Sequence, residues 1–191
     1  MSADNVVDTL QAWLAPPNIV GLNAVFDAAP WFIDGASWEL DAQLGWGAIG
    51  VLHIDHEHEV RVASGGVAAD GTPGGLKELH YDVGLLLVFK YSVPALEDQQ
   101  LAATGYRRAL NGLLDGVKVR LRQDRTAGSA SGPSGLGGVP VTPEGAILLV
   151  GEGDGHGSPD ITIDRDLPKR DVGIVWSNSL IRFHIVEIAA T

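Results

Sequence analysis

The sequence predicts an α+β fold: a mostly antiparallel sheet packed against one long helix and a short N-terminal helix, with glycine-rich loops. Three observations lead there. Residues 79–93 alternate their side chains over a length that suits a long strand. Beyond Pro94, apolar residues recur three or four apart as far as Leu121, the period of a helix. Strand-like segments stand on both sides of that helix, and the order helix, strands, long helix, strands is that of an α+β domain.

Ser2 or Asp4 can cap the first helix, in which Val6, Leu10, Trp13 and Leu14 share one face. Pro16 and Pro17 stop it, since neither donates to a helix ladder. Residues 19–22, 25–26 and 30–33 read as extended chain over a core, followed by the turn-prone Asp34-Gly35. Two short strands, 48–52 and 60–63, are expected to form a hairpin with polar residues 55–59 at its turn. A glycine-rich loop bounded by Gly65 and Gly75 follows. In the next strand Val83, Leu85, Leu87, Phe89 and Tyr91 point one way, and Gly84, Leu86, Val88, Lys90 and Ser92 the other. The second set is apolar in its middle, so the strand should be central and covered on both faces there.

The long helix begins near Leu96, and Ala103, Tyr106, Leu110, Leu113, Leu114, Val117 and Leu121 form its seam. Glu97 and Asp98 at its start and the basic residues at its end suit the helix dipole. Ten of the 25 glycines fall in residues 128–157. The stretch from Thr126 to Gly138 has the composition of a linker. Short strands are expected at 146–150 and 161–163, and a closing one at 172–188 with a bulge at Ser177-Asn178. One domain over 1–191 is expected, with flexible loops near 65–75, 126–138 and 151–160.

Composition narrows the function. With no cysteine, disulfides, thiolate–zinc sites and cysteine nucleophiles are excluded. Thirteen basic residues against 24 acidic ones give a net charge of −11, against the usual balance for gripping nucleic acid. No apolar run approaches the roughly 18 residues of a membrane span, and residues 1–5 lack the positive start of a signal peptide. The expectation is a soluble protein with no membrane contact.

Several motifs invite chemistry. Gly45, Gly47 and Gly50 form a literal G-x-G-x-x-G, but strand-like residues follow where a dinucleotide site needs a helix. His53, Asp55, His56, Glu57 and His58 are the one sequence cluster of metal-ligand types. On a strand His56 and His58 would share one face and His53 and Asp55 the other, whereas a site needs three or four converging ligands. A polar hairpin tip is the expectation there, with a metal-binding hydrolase-like module on His53, His56 and His58 as the rival. His80, His156 and His184 could join only through folding. Asp154, His156 and Ser158 lie in one loop without the fixed geometry of a triad. No enzyme and no cofactor are therefore expected. Arg107, Arg108, Lys118, Arg120, Arg122 and Arg125 gather six of the 13 basic residues on or just after the long helix. Trp38 and Trp46, in a glycine-rich stretch, suit an interface, where aromatic anchors are enriched.

In order, the segments VVDTLQAWL, PPNIVGLNAVFDAAPWF, AIGVLHIDHEHEVRVASGG, ELHYDVGLLLVFKY, EDQQLAATGYRRALNGLLDGVKVRLRQD and SNSLIRFHIVEI resemble the tail-terminator (tail-completion) proteins of long non-contractile-tailed phages. That resemblance implies a structural virion protein at the head-proximal end of the tail, present in the host cytoplasm during assembly. It implies a hexameric ring that caps the tail tube, touching the major tail tube protein and a head–tail connector or neck protein. DNA would pass through the lumen without specific binding. A neck or head-closure connector shares the helix-plus-sheet design and is the alternative. The expected subunit interface comprises Trp38, Trp46, Arg107, Arg108 and Arg122. The expected partner-contact loops are those bounded by Gly65 and Gly75 and by Thr126 and Gly138.

Overall fold

The computed structural model describes residues 3–27, 46–67, 73–93, 99–123, 147–150, 160–171 and 173–190. Helix α1 (Ala3–Leu14) leads into strand β1 (Leu22–Phe26). Strands β2 (Trp46–Val67) and β3 (Pro73–Ser92) form a long antiparallel pair, and helix α2 (Gln99–Gln123) follows. Three short strands, β4 (Ile147–Val150), β5 (Thr162–Arg165) and β6 (Lys169–Asp171), precede the long β7 (Ile174–Ala190). The fold is mixed α/β and dominated by its sheet.

The described strands form one sheet with the order β1-β2-β3-β7, and β4, β5 and β6 share the outer edge of β7. β6 pairs at Ile174–Trp176, β5 at Ser179–Arg182 and β4 at Ile185–Ile188. Only β1 runs parallel to its neighbour. A register shift between Leu22 and Ala24 leaves Asn23 out of the ladder, and its Oδ1 accepts the Gly47 N–H at 3.0 Å.

Both helices pack on one face of this sheet. Leu79, Tyr81, Val83, Leu85, Leu87 and Phe89 of β3 meet Ile181, Phe183 and Ile185 of β7 there. Val6, Leu10 and Leu14 of α1 and Tyr106, Leu110, Leu113, Leu114, Val117 and Leu121 of α2 close the core. The helices are tied at their C-terminal ends. Arg120 Nε donates to the Trp13 carbonyl at 3.1 Å, and its guanidinium lies 3.4 Å over the indole ring. That satisfies one carbonyl left open where α1 stops. One carboxylate enters the core: Glu187 is fully buried, and the Tyr81 hydroxyl donates to its Oε2 at 2.9 Å.

Several expectations are corrected. Polar residues 55–59 are not a turn but part of the continuous strand β2, where the register shifts between Ile54 and Glu57. Ser64 pairs with Gly75 and Gly66 with Gly74, so Gly65 and Gly75 belong to strands and not to a loop. Ladder hydrogen bonds are made by the backbone, which is why a polar run can stay extended. No bulge occurs at Ser177-Asn178, which pair in unbroken register with Phe89 and Val88. The helix seam takes Ala102 in place of Ala103, which is exposed. Trp38, Thr126, Gly138, His156 and Ser158 lie outside the described residues, as do the starting residues Leu96 to Asp98 of the expected helix.

Candidate functional site: an open strand edge and a histidine pair

β2 is bordered unequally. On one side it pairs with β3 over its whole length. On the other, among the described residues, β1 reaches only Gly47–Gly50. Over residues 51–67, roughly 50 Å of strand at about 3.3 Å per residue, no other described strand pairs with β2 on that side. Backbone N–H and C=O groups along such an edge are a template for another chain. The opposite border of the sheet differs, because β4, β5 and β6 occupy most of β7.

Helix α2 turns Leu101, Arg108, Gly112, Asp115, Val119 and Arg122 to solvent, with Leu101 62% and Val119 64% exposed. Arg107 is exposed beside them. Among the described residues, no hydrogen bond or ion pair engages Arg107, Arg108 or Arg122. A surface that mixes arginine with isolated aliphatic residues suits a protein contact. Trp46 opens β2 directly across from Lys90.

The face of β3 turned away from the helices carries Glu78, His80 and Asp82 at alternate positions. Pairing across to β7 sets Asp82 opposite His184 and His80 opposite Val186. His80 Nδ1 lies 3.1 Å from His184 Nε2. His184 Nδ1 is hydrogen-bonded to Asp82 Oδ1 at 3.0 Å, and His80 Nε2 lies 3.4 Å from Glu78 Oε2. Glu78, His80 and His184 are about half-buried in this surface, and Asp82 is more open. Next to them Arg182 pairs with Asp164 of β5. On the other side of β3, His58 is the register partner of His80, and His53 that of Gly84. His56 falls within the register shift. Folding therefore does bring His80 and His184 together. The signal in the sequence was the alternation Glu78, His80, Asp82 on a strand, which puts all three on one face.

The motif Gly45, Gly47, Gly50 opens no helix: Gly47 and Gly50 lie in β2, which continues through Val51. A cleft of about 280 Å³ between α2 and the β6–β7 end is lined by Val93, Ala102, Tyr106, Pro168, Arg170 and Val175. It is small for a ligand pocket, which typically runs from roughly 300 Å³ upward, and among the described residues Arg170 is its one charged wall. Burial pushes the Tyr106 phenol above its ordinary value of 10.0, against the opposing pull of the Ser177 hydrogen bond and the charge of Arg165. Among the described residues, no helix is long and apolar enough to cross a membrane.

Comparison with known proteins adds no family. The chain matches no protein-family model and no curated protein.

Proposed function

We propose that this chain is a structural virion protein of the tail-terminator type, a subunit that assembles head to tail into a six-fold ring. The ring caps the tail tube and joins it to the head side, contacting the tail tube protein on one face and a connector or neck protein on the other. The observation that carries the reading is that, among the described residues, no strand borders β2 on its β1 side over residues 51–67, in a sheet whose other border is mostly occupied. A subunit with two unlike borders favours heterologous contacts, which close into rings when the rotation permits. The α2 surface of Leu101, Arg108, Val119 and Arg122 supplies the second, different surface such a contact needs. The family that the chain resembles has a sheet packed with helices, and a sheet with two helices on one face supports the reading. A net charge of −11 suits a lumen that passes DNA without holding it.

Light scattering coupled to size exclusion tests this. The expected mass is six times the 20.1 kDa of one chain. Arg108→Glu, at an exposed position, should leave the circular dichroism spectrum unchanged and shift the population to smaller species. A wild-type protein that stays monomeric at high concentration and is absent from purified tails overturns the reading.

A further inference from the structure

The charges of this chain are segregated. Residues 1–60 hold nine of the 24 acidic residues and none of the 13 basic ones, so α1, β1 and the first part of β2 contain no lysine or arginine. These elements are neighbours at one border of the sheet: β1 is the strand that flanks β2 there, and Gln11 of α1 donates to the Val25 carbonyl of β1 at 3.3 Å. Asp8, one turn before Gln11, and Asp27, just after β1, are exposed, and among the described residues neither has an ion-pair partner. Val20, in the turn between α1 and β1, is 91% exposed. Helix α2 has the opposite character. Leu101, Arg108, Gly112, Asp115, Val119 and Arg122 recur three, four or seven apart, one stripe about 32 Å long at 1.5 Å per residue. Asp115 is paired with Lys118, which leaves Arg108 and Arg122 as the unpaired charges of the stripe.

Copies of a chain with a net charge of −11 repel one another on average, so their association has to be led by local complementarity. Two α2 stripes face to face set arginine against arginine, and two N-terminal borders set aspartate against aspartate. Like charges across an interface count against both of these two-fold arrangements. Stripe against border is the pairing that joins opposite charges. We propose that the α2 stripe of one copy docks on the α1–β1 border of a second copy, with Arg108 and Arg122 facing the surface that bears Asp8 and Asp27. Leu101 and Val119 supply apolar contact on one side and Val20 on the other. Gly112, with open space around it, lets the second backbone come close at the middle of the stripe. Exposed ion pairs add little affinity, so the charges act here chiefly by choosing the orientation. The contact rests on the self-assembly reading above and gives it a direction, since each copy then offers unlike surfaces to its two neighbours.

Sedimentation velocity on two charge-reversed variants is the test. Arg108→Glu with Arg122→Glu makes both surfaces acidic, and Asp8→Lys with Asp27→Lys makes both basic. Each variant alone should raise the dissociation constant of the assembly by at least about 10-fold. Mixed in equal amounts they should recover the wild-type mass, because every surface of one then meets its opposite on the other. That recovery also shows that both variants are folded, which circular dichroism checks separately. Wild-type assembly should loosen by about 10-fold between about 0.1 M and 1 M salt, as the screening length falls from about 10 Å to about 3 Å. A border variant that assembles like the wild type, or a folded mixture that stays dissociated beside a hexameric wild type, overturns this docking and leaves the ring standing. The first of those results assigns the α2 stripe to a different partner. A wild type that is monomeric even in low salt overturns both.

Discussion

Ser177 and Ser179 stand two positions apart on β7, both buried and both on the face that meets the helices. Ser177 receives the hydroxyl of Tyr106, while Ser179 Oγ has no hydrogen-bond partner. A buried donor stripped of its acceptor costs about 1–3 kcal/mol, whereas removing an unsatisfied hydroxyl costs little or stabilises. Ser177→Ala should therefore lower the unfolding free energy by about 1–2 kcal/mol in urea titrations, and Ser179→Ala should leave it unchanged or raise it. Tyr106 adds a pH signature. Its raised pKa means that below pH 10 the phenol is neutral in both folded and unfolded chains and contributes no pH dependence. Above that point the unfolded chain loses the proton first, so stability falls as pH rises toward the folded value. Melting curves from about pH 8 to about pH 11 should show this fall in the wild type and a shallower one in Tyr106→Phe. The serines also explain a misreading of the sequence. A polar pair in mid-strand suggests a bulge, yet Ser177 is there to meet a tyrosine 71 residues away in sequence, which local pattern does not encode.

Helix α2 lies close on β2 because Gly47 has no side chain. A Cβ at that position would run into Leu113 Cδ2 and sit 3.0 Å from the Gly21 carbonyl oxygen. Gly47→Ala should destabilise the protein by about 1–3 kcal/mol, the usual cost of overpacking a core. Gly112 is the control: it is exposed on the same helix with open space around it, so Gly112→Ala should stabilise by up to about 1 kcal/mol. Chemical denaturation of the two variants side by side decides both. Helix α2 was legible because its seam repeats every three or four residues from Tyr106 to Leu121 and every one of those positions is buried. β3 was legible through its alternation, although it begins at Pro73, ahead of the expected residue 79. β2 was not legible as one strand. Its residues 55–59 are polar, and no apolar alternation marks this segment, which the ladder with β3 keeps extended.

Two helices cover one face of the sheet, and the other face bears Glu78, His80, Asp82, Arg182 and His184 together with the buried Leu86, Val88 and Val186. The sequence placed the arginines of α2 on a helix surface, as observed. It could not place His184 beside His80, because a register between strands about a hundred residues apart is set by the complete sheet. Nor could it foresee the unequal borders of that sheet, which depend on how little of β2 is covered by β1. The position of β7 carries a further consequence. It is the last of the described strands in sequence, yet β3, β4, β5 and β6 all pair with it. During synthesis those four strands must wait for a partner that emerges after all of them, so the sheet cannot close progressively behind the ribosome. Until then β3 exposes a second raw border, and the nascent chain is at its most vulnerable to pairing with a neighbour on the same message.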